Sequence, residues 1–256
     1  MRAPKLGFVA ALLVLTVAAE VSAHDHFNLS EDLPIRVEDA FATGYLNREV
    51  QLLGRWEHHG GEEDDDHFIL EPRIEFGAYY NLEVEVAVPF RYTEEPDELQ
   101  GSGDIRLSAL YNFNMEGLYV PAFAVAGGID VPTGHRSRGV DTRLKLILTK
   151  TLGETNVLNR VHLNAVWLHN SRRRDDERQD RYELVLGYSI PVSSDLVLLA
   201  DVVRRQGLEK DVEVTLLEAG FRWQAHPLTI LGAGGSAGVG DESPDAGVTF
   251  FLQQVF

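Results

Sequence analysis

Cysteine is absent from this 256-residue chain, and methionine occurs only 2 times. An exported chain without cysteine has no disulfide framework, so its stability rests on sheet closure and burial. Positive charge is scarce. Lys and Arg number 23 against 40 Asp and Glu, for a formal net charge of -17. That balance argues against nucleic acid and anionic membrane surfaces as partners. It suits a surface where divalent cations bridge carboxylates to other anions. Past the first turns of the chain, no segment approaches the ~20 consecutive apolar residues of a membrane helix. The mature protein is therefore soluble, or it spans as strands. Overall hydrophobicity does not separate these cases, because a barrel hides its apolar face in alternation.

The start reads as a secretory leader. Arg2 and Lys5 supply positive charge, Leu6 to Ala19 is a short apolar run, and Val21-Ser22-Ala23 is a small-residue cleavage site. Cleavage after Ala23 is expected, which makes 1–23 a signal peptide. Residues 24–47 have no clear period and are interrupted by Pro34 and Gly44. They read as an extended arm, lying either in the periplasm or in a lumen as a plug.

What the chain has in abundance is alternation. Phe68, Leu70, Pro72, Ile74, Phe76 and Ala78 fall on one side of an extended run, with Glu71, Arg73 and Glu75 on the other. After Tyr79-Tyr80-Asn81 the pattern restarts, with Leu82, Val84, Val86 and Val88 opposed to Glu83 and Glu85. Strand side chains alternate faces, so each run has one oily and one charged face. From Arg48 onward about twelve such strands can be counted, within the range of single-chain bacterial barrels. One of them runs from Tyr119 to Val131; another, Val212 to Trp223, loses its alternation near Leu216-Leu217, where a bulge is expected.

The connections sort by parity. His58 to His67, Tyr92 to Ser102, Pro132 to Gly139, Asn170 to Asp180, Gln206 to Asp211 and Gly240 to Asp245 are long and polar. Those between them are mostly short. Long outer loops and short periplasmic turns are what a closed, antiparallel, up-and-down transmembrane β-barrel shows, here over residues 48–256. A soluble sandwich has no reason to sort its loops this way. The last strand ends in Phe256, an aromatic suited to the inner girdle and to recognition by the barrel-assembly machinery.

Charges on the other face belong in the lumen, since lipid penalises them. They are Glu71, Arg73, Glu75, Glu83, Glu85, Arg91, Asp104, Arg106, Asp141, Arg143, Lys145, Arg181, Glu183, Asp201, Arg205 and Arg222. Two roles fit them: a polar path that selects solutes, or a paired network that fills a narrow barrel.

Several stretches together carry a resemblance. Leu33-Pro34-Ile35-Arg36-Val37 precedes Glu38-Asp39-Ala40. The first hairpin runs Phe68-x-Leu-Glu-Pro-x-Ile-Glu-Phe-Gly and then Asn81-Leu-Glu-Val-Glu-Val-Ala-Val-Pro. Gly101-Ser-Gly-Asp104-Ile105 and Asp130-Val131-Pro132-Thr133-Gly134 follow in order. The pattern resembles the outer-membrane barrel family named for the MetA pathway of phenol degradation, often called a transporter. The resemblance covers nearly all of the mature chain. It implies a Gram-negative outer-membrane barrel, and the name suggests uptake of aromatic or hydrophobic compounds. No catalytic residues or cofactors come with it.

The chain also offers residues for a metal site and for an enzyme. After cleavage the chain would begin His24-Asp25-His26, an amine, two backbone nitrogens and an imidazole in the pattern of a square-planar Cu(II) or Ni(II) site. A disordered polar end is the plainer reading. His58, His59, Glu62, Glu63, Asp64, Asp65, Asp66 and His67 form an acidic outer loop that is a solvated face or a cation site. A barrel lipase would need Ser171 beside His169. The expectation is thus a monomeric channel for small molecules in outer-membrane lipid and lipopolysaccharide, without enzymatic activity or nucleic acid. A structural or cation-binding barrel is the alternative, and a lipase-like enzyme comes third.

Overall fold

The computed structural model describes residues 27–60, 65–93, 101–134, 137–153 and 158–256. Among them there is one antiparallel sheet and no helix. Its segments are β1 (Arg48–His59), β2 (Asp65–Tyr79), β3 (Leu82–Ala87), β4 (Phe90–Thr93), β5 (Gly101–Ser102), β6 (Ile105–Asn114), β7 (Ala122–Val131), β8 (Asp141–Thr151), β9 (Arg160–His169), β10 (Asp180–Pro191), β11 (Leu196–Gln206), β12 (Glu213–His226), β13 (Thr229–Gly238) and β14 (Ala246–Val255). β1 pairs with β2 on one side and with β14 on the other, so the sheet closes. β3 and β4 form one stave broken at Val88 and Pro89. β5 and β6 form another, broken at Gly103 and Asp104. The 14 segments therefore make a barrel of twelve staves, as the alternation predicted. Proline has no N–H for the ladder, so a break at Pro89 follows from the residue. The Gly103 N–H bridges it by donating to the Pro89 carbonyl at 2.7 Å.

The two faces differ as a membrane barrel requires. On β10, Tyr182, Leu184, Leu186 and Tyr188 point out, and Leu186 is 56% exposed. Leu144 and Leu146 on β8, and Phe250 and Leu252 on β14, continue the apolar belt. Tyr79 and Tyr80 occupy the tight turn between β2 and β3, where Tyr45 packs on both with ring centroids 6.2 and 4.8 Å away. Asn81 takes the positive φ of 62° that this turn needs, a conformation asparagine tolerates. An apolar belt of this extent is stable only against lipid. Leu186→Arg, near the middle of β10, should therefore cost about 2–4 kcal/mol and reduce the folded fraction. Heat-dependent gel mobility reads that fraction, and an unchanged folded yield would show that the belt does not meet lipid.

Two expectations need correction. β12 has no bulge at Leu216-Leu217. Leu216 faces in and is 1% exposed, while Leu217 faces out, in unbroken register with β11. The alternation only looks lost because Val214 and Leu216 are inward residues that are apolar. The register shifts of the barrel lie instead at Gly77/Tyr79, Asn112/Asn114 and Gln224/His226, all near short turns. The strand expected from Tyr119 begins only at Ala122. Asn114 closes the preceding turn, accepting the Phe123 N–H and donating to the carbonyls of Met115 and Pro121. Tyr119 is left 88% exposed in that turn.

Inward apolar residues gather in three clusters, each completed by the segment before β1. Leu29, Ile35 and Val37 meet Val185, Val203, Val214 and Leu216. Ala40 meets Leu110, Ala124 and Ile147. Leu33 meets Leu53, Ile230 and Phe251. Because these partners come from staves all around the barrel, the arm runs through its interior.

Candidate functional site in the barrel lumen

The arm is held chiefly by its backbone. The N–H of Arg36 donates to Glu218 on β12 at 3.0 Å, and that of Val37 to Asp201 on β11 at 2.9 Å. Glu38 N–H donates to Asn164 on β9 at 2.9 Å, and Ala40 N–H to Thr149 on β8 at 3.0 Å. Thr43 N–H ends the series on Glu83 of β3 at 2.8 Å, while its hydroxyl donates to Glu75 of β2. Asn164 also returns a bond to the Glu38 carbonyl at 2.8 Å. The arm thus circles the inner wall. An extended segment has no intrinsic partners for its N–H groups, and the wall supplies side-chain acceptors in place of a neighbouring strand. Gly77 lets the arm leave. Leu46 N–H and the Asn47 carbonyl bond to Gly77, and a Cβ there would run into the Gly44 carbonyl.

Charge locks the arm's first turn in place. Asp32 pairs with Arg55 at 2.8 Å and lies 3.6 Å from Arg73. Glu31 receives Arg143 at 3.0 Å and Lys145 at 2.5 Å, and Lys145 also reaches Glu38 at 2.6 Å. Arg222, fully buried, donates to the Leu33 carbonyl and to Gln253, each at 2.8 Å, with its guanidinium over the Phe251 ring. Arg36 runs the other way, from the arm to Glu57 on the wall at 3.1 Å.

The wall charges named from the sequence all lie on the lumen side. Glu71, Arg73, Glu75, Glu83, Asp201, Arg143, Lys145 and Arg222 are engaged with the arm or with one another. Glu85 lies 3.8 Å from Arg73. Arg91, Arg106, Arg181, Glu183 and Arg205 line a cavity of about 460 Å³ at the long-loop end, whose floor includes Glu31 and Asp32. Asp104 and Asp141 line an adjoining cavity of about 350 Å³. Below Glu31, toward the short turns, the space around Glu38, Glu75 and Glu83 shrinks to about 30 Å³, room for little more than one water. Among the described residues the lumen is roomy toward the long loops and filled around Glu38, Glu75 and Glu83.

The sequence reading missed Glu31, Asp32, Arg36, Arg55, Glu57, Asn164 and Glu218. A signal for the arm's path did exist. Val185, Val203, Leu216, Ile147 and Leu110 sit at inward positions where a wet lumen has no use for them.

The remaining candidates are placed as follows. His24 and His26 lie outside the described residues, as do Glu62, Glu63 and Asp64. Asp66 bonds His58 at 2.9 Å, and Asp65 bonds His67 at 2.9 Å, which engages these acids with side chains of their own hairpin. His169 bonds Asp180 at 2.9 Å. Ser171 donates its N–H to Asp141, and its hydroxyl packs beside Gly139, so the lipase pairing is not assembled.

The loops over the second cavity meet at Glu177. It accepts the Arg174 N–H at 2.7 Å and Arg138 at 2.9 Å. Burial opposes its charge, but these donors more than offset that and hold the carboxyl below its usual range. A carboxyl lowered by folding contributes stability above its unfolded value, near pH 4, and loses it as pH falls further. Protease protection of the loop at 170–179 should therefore hold at pH 7 and fall below about pH 4. Glu177→Gln should be less protected at pH 7 and nearly flat with pH; equal protection of the unaltered chain at pH 7 and pH 3 would remove this role.

No family model matches the chain, and no curated protein matches it. Solved structures do. A crystal structure of the COG4313 outer membrane channel from Pseudomonas putida F1 superposes with a TM-score of 0.66 at 14% identity, covering 87% of this chain and 100% of that one. A NanC porin superposes with a TM-score of 0.57 at 9% identity, covering 81% and 98%. At such identities the likeness speaks for architecture: this chain has the fold of an outer-membrane channel.

Proposed function

We propose that the chain is a passive outer-membrane channel for small molecules, aromatic or hydrophobic ones among them, kept shut by residues 27–43. The observation that carries this is the layout of the lumen. A cavity of about 460 Å³ ends on an arm that is joined to the wall by separable polar contacts and no covalent bond short of β1. The wall itself has the alternating charge that a solute path needs. The reading includes export by a leader ending at Ala23, assembly through the strand that ends at Phe256, and a monomeric barrel in lipid and lipopolysaccharide of a Gram-negative outer membrane.

The dense pairing below Glu31 favours a second reading, a structural barrel that never opens. Single-channel recording and liposome swelling separate the two. The full chain and the chain lacking residues 27–43 are each reconstituted. Current and solute flux through the shortened chain support the channel. Silence from both overturns it and leaves the structural barrel.

A further inference from the structure

We infer that the cavity above the arm is a subsite for an amphipathic organic anion, a carboxylate carried on a small ring or chain. The inference deepens the channel reading and takes its solute route from it, although binding itself is measured without flux. The volume of about 460 Å³ suits a small molecule, since ligand sites run roughly 300–1,000 Å³.

Two guanidinia in this cavity have no ion pair among the described residues. Arg205 on β11 stands opposite Glu183 on β10, and Arg181 is the next inward residue of β10, so the two are diagonal neighbours about 7–8 Å apart. Neither forms a hydrogen bond or an ion pair within 4 Å among the described residues, and the Arg181 Nε is buried without an acceptor. The carboxylates that act on them are Glu183 for both, Asp141 and Glu177 for Arg181, and Glu57 for Arg205, none of them in an ion pair with either; Glu57 is taken up by Arg36 and Glu177 by Arg138. The other acids of the cavity wall are taken up: Glu31 by Lys145, Asp32 by Arg55, Glu71 by Arg73 and Asp130 by Arg106. Glu242 and Arg91, both exposed, also line the cavity.

Beside these arginines the wall is apolar. Leu168 on β9 lies between Arg181 and Arg143 in register, Val166 is the next inward residue of β9, and Val214 on β12 stands opposite Arg205, both valines 5% exposed. A guanidinium presents a planar fork of donors that a carboxylate matches with two bonds. A cation would meet unpaired positive charge, and a neutral solute would leave buried donors unsatisfied. An acid head on Arg181 and Arg205, with an apolar body on Leu168, Val166 and Val214, satisfies both walls.

The test is titration calorimetry on the full chain in detergent, with benzoate and its neutral counterpart benzamide. Benzoate should bind at least tenfold more tightly than benzamide. Arg181→Gln and Arg205→Gln should each weaken it about tenfold or more, the range for a lost charged hydrogen bond. Arg204→Gln, which acts on the outer face beside Glu213, should change nothing. Heat-dependent gel mobility confirms folding, and Arg→Lys replacements serve if a glutamine variant fails to assemble. Equal binding of the two compounds, no binding of benzoate up to about 10 mM, or benzoate binding that survives loss of both arginines overturns the inference. Benzoate binding in a barrel that passes no solute would keep the subsite and end the channel reading; flux without benzoate binding would do the reverse.

Discussion

Single-channel current through the chain lacking residues 27–43 should exceed that of the full chain by about tenfold or more. A barrel of twelve staves is wider than the eight-stranded kind that side chains alone can fill, so its lumen is narrow here because of the arm. Removing the arm empties the three apolar clusters that Leu29, Leu33, Ile35, Val37 and Ala40 complete. It also strips Arg55, Arg143 and Lys145 of their carboxylates. The shortened barrel should therefore be less stable to heat as well as more conductive. A milder version changes only the charges. Glu31→Gln with Asp32→Asn keeps the backbone bonds of residues 36–43 but leaves several buried cations uncompensated, a loss of about 3–5 kcal/mol for a broken buried pair. That variant should flicker between a closed and an open level rather than stay open. If both variants conduct like the full chain, the arm does not shut the lumen.

Gly187→Leu should open the channel from the wall side, with the arm intact. Gly187 faces in on β10, and the three atoms nearest to a Cβ built there all belong to Val37. The contact is too close for any side chain. Val37 is β-branched and cannot turn aside easily, and its N–H is tied to Asp201 at 2.9 Å. A leucine must therefore displace the arm, and current should rise toward that of the shortened chain. In the shortened chain the same replacement meets no Val37 and should have little effect on either current or heat stability. This non-additivity is the diagnostic, because a change that merely damaged the sheet would lower stability in both backgrounds. Additive losses would mean that the wall, and not the arm, absorbs the leucine.

The wall was legible in the sequence, and its content was not. Period-two alternation fixes which way each residue of a half-wetted strand points, so Tyr182, Leu184 and Leu186 could be turned outward and Arg181 and Glu183 inward before any coordinates. Loop lengths by parity gave the closure. The arm has no such local rule. Its bonds join residues far apart in the chain, as Arg36 to Glu218 and Leu33 to Arg222, and they use backbone donors that every residue possesses. Nothing in residues 24–47 marks that use. The wall did mark it, through inward Val203, Leu216 and Ile147, but each looked like noise against a rule that put charge inside. The expected bulge at Leu216-Leu217 came from the same source, a true inward leucine read as a slipped register.

The seating of the arm has a consequence for the order of events in assembly. The acceptors and guanidinia that hold it come from β1, β2, β3, β8, β9, β11 and β12, and Leu33 rests against β13 and β14. Until the final stave has met β1, that ring of contacts does not exist in one place. The described part of the chain nearest its beginning must wait for the part nearest its end, so the cylinder is complete before it acquires its contents.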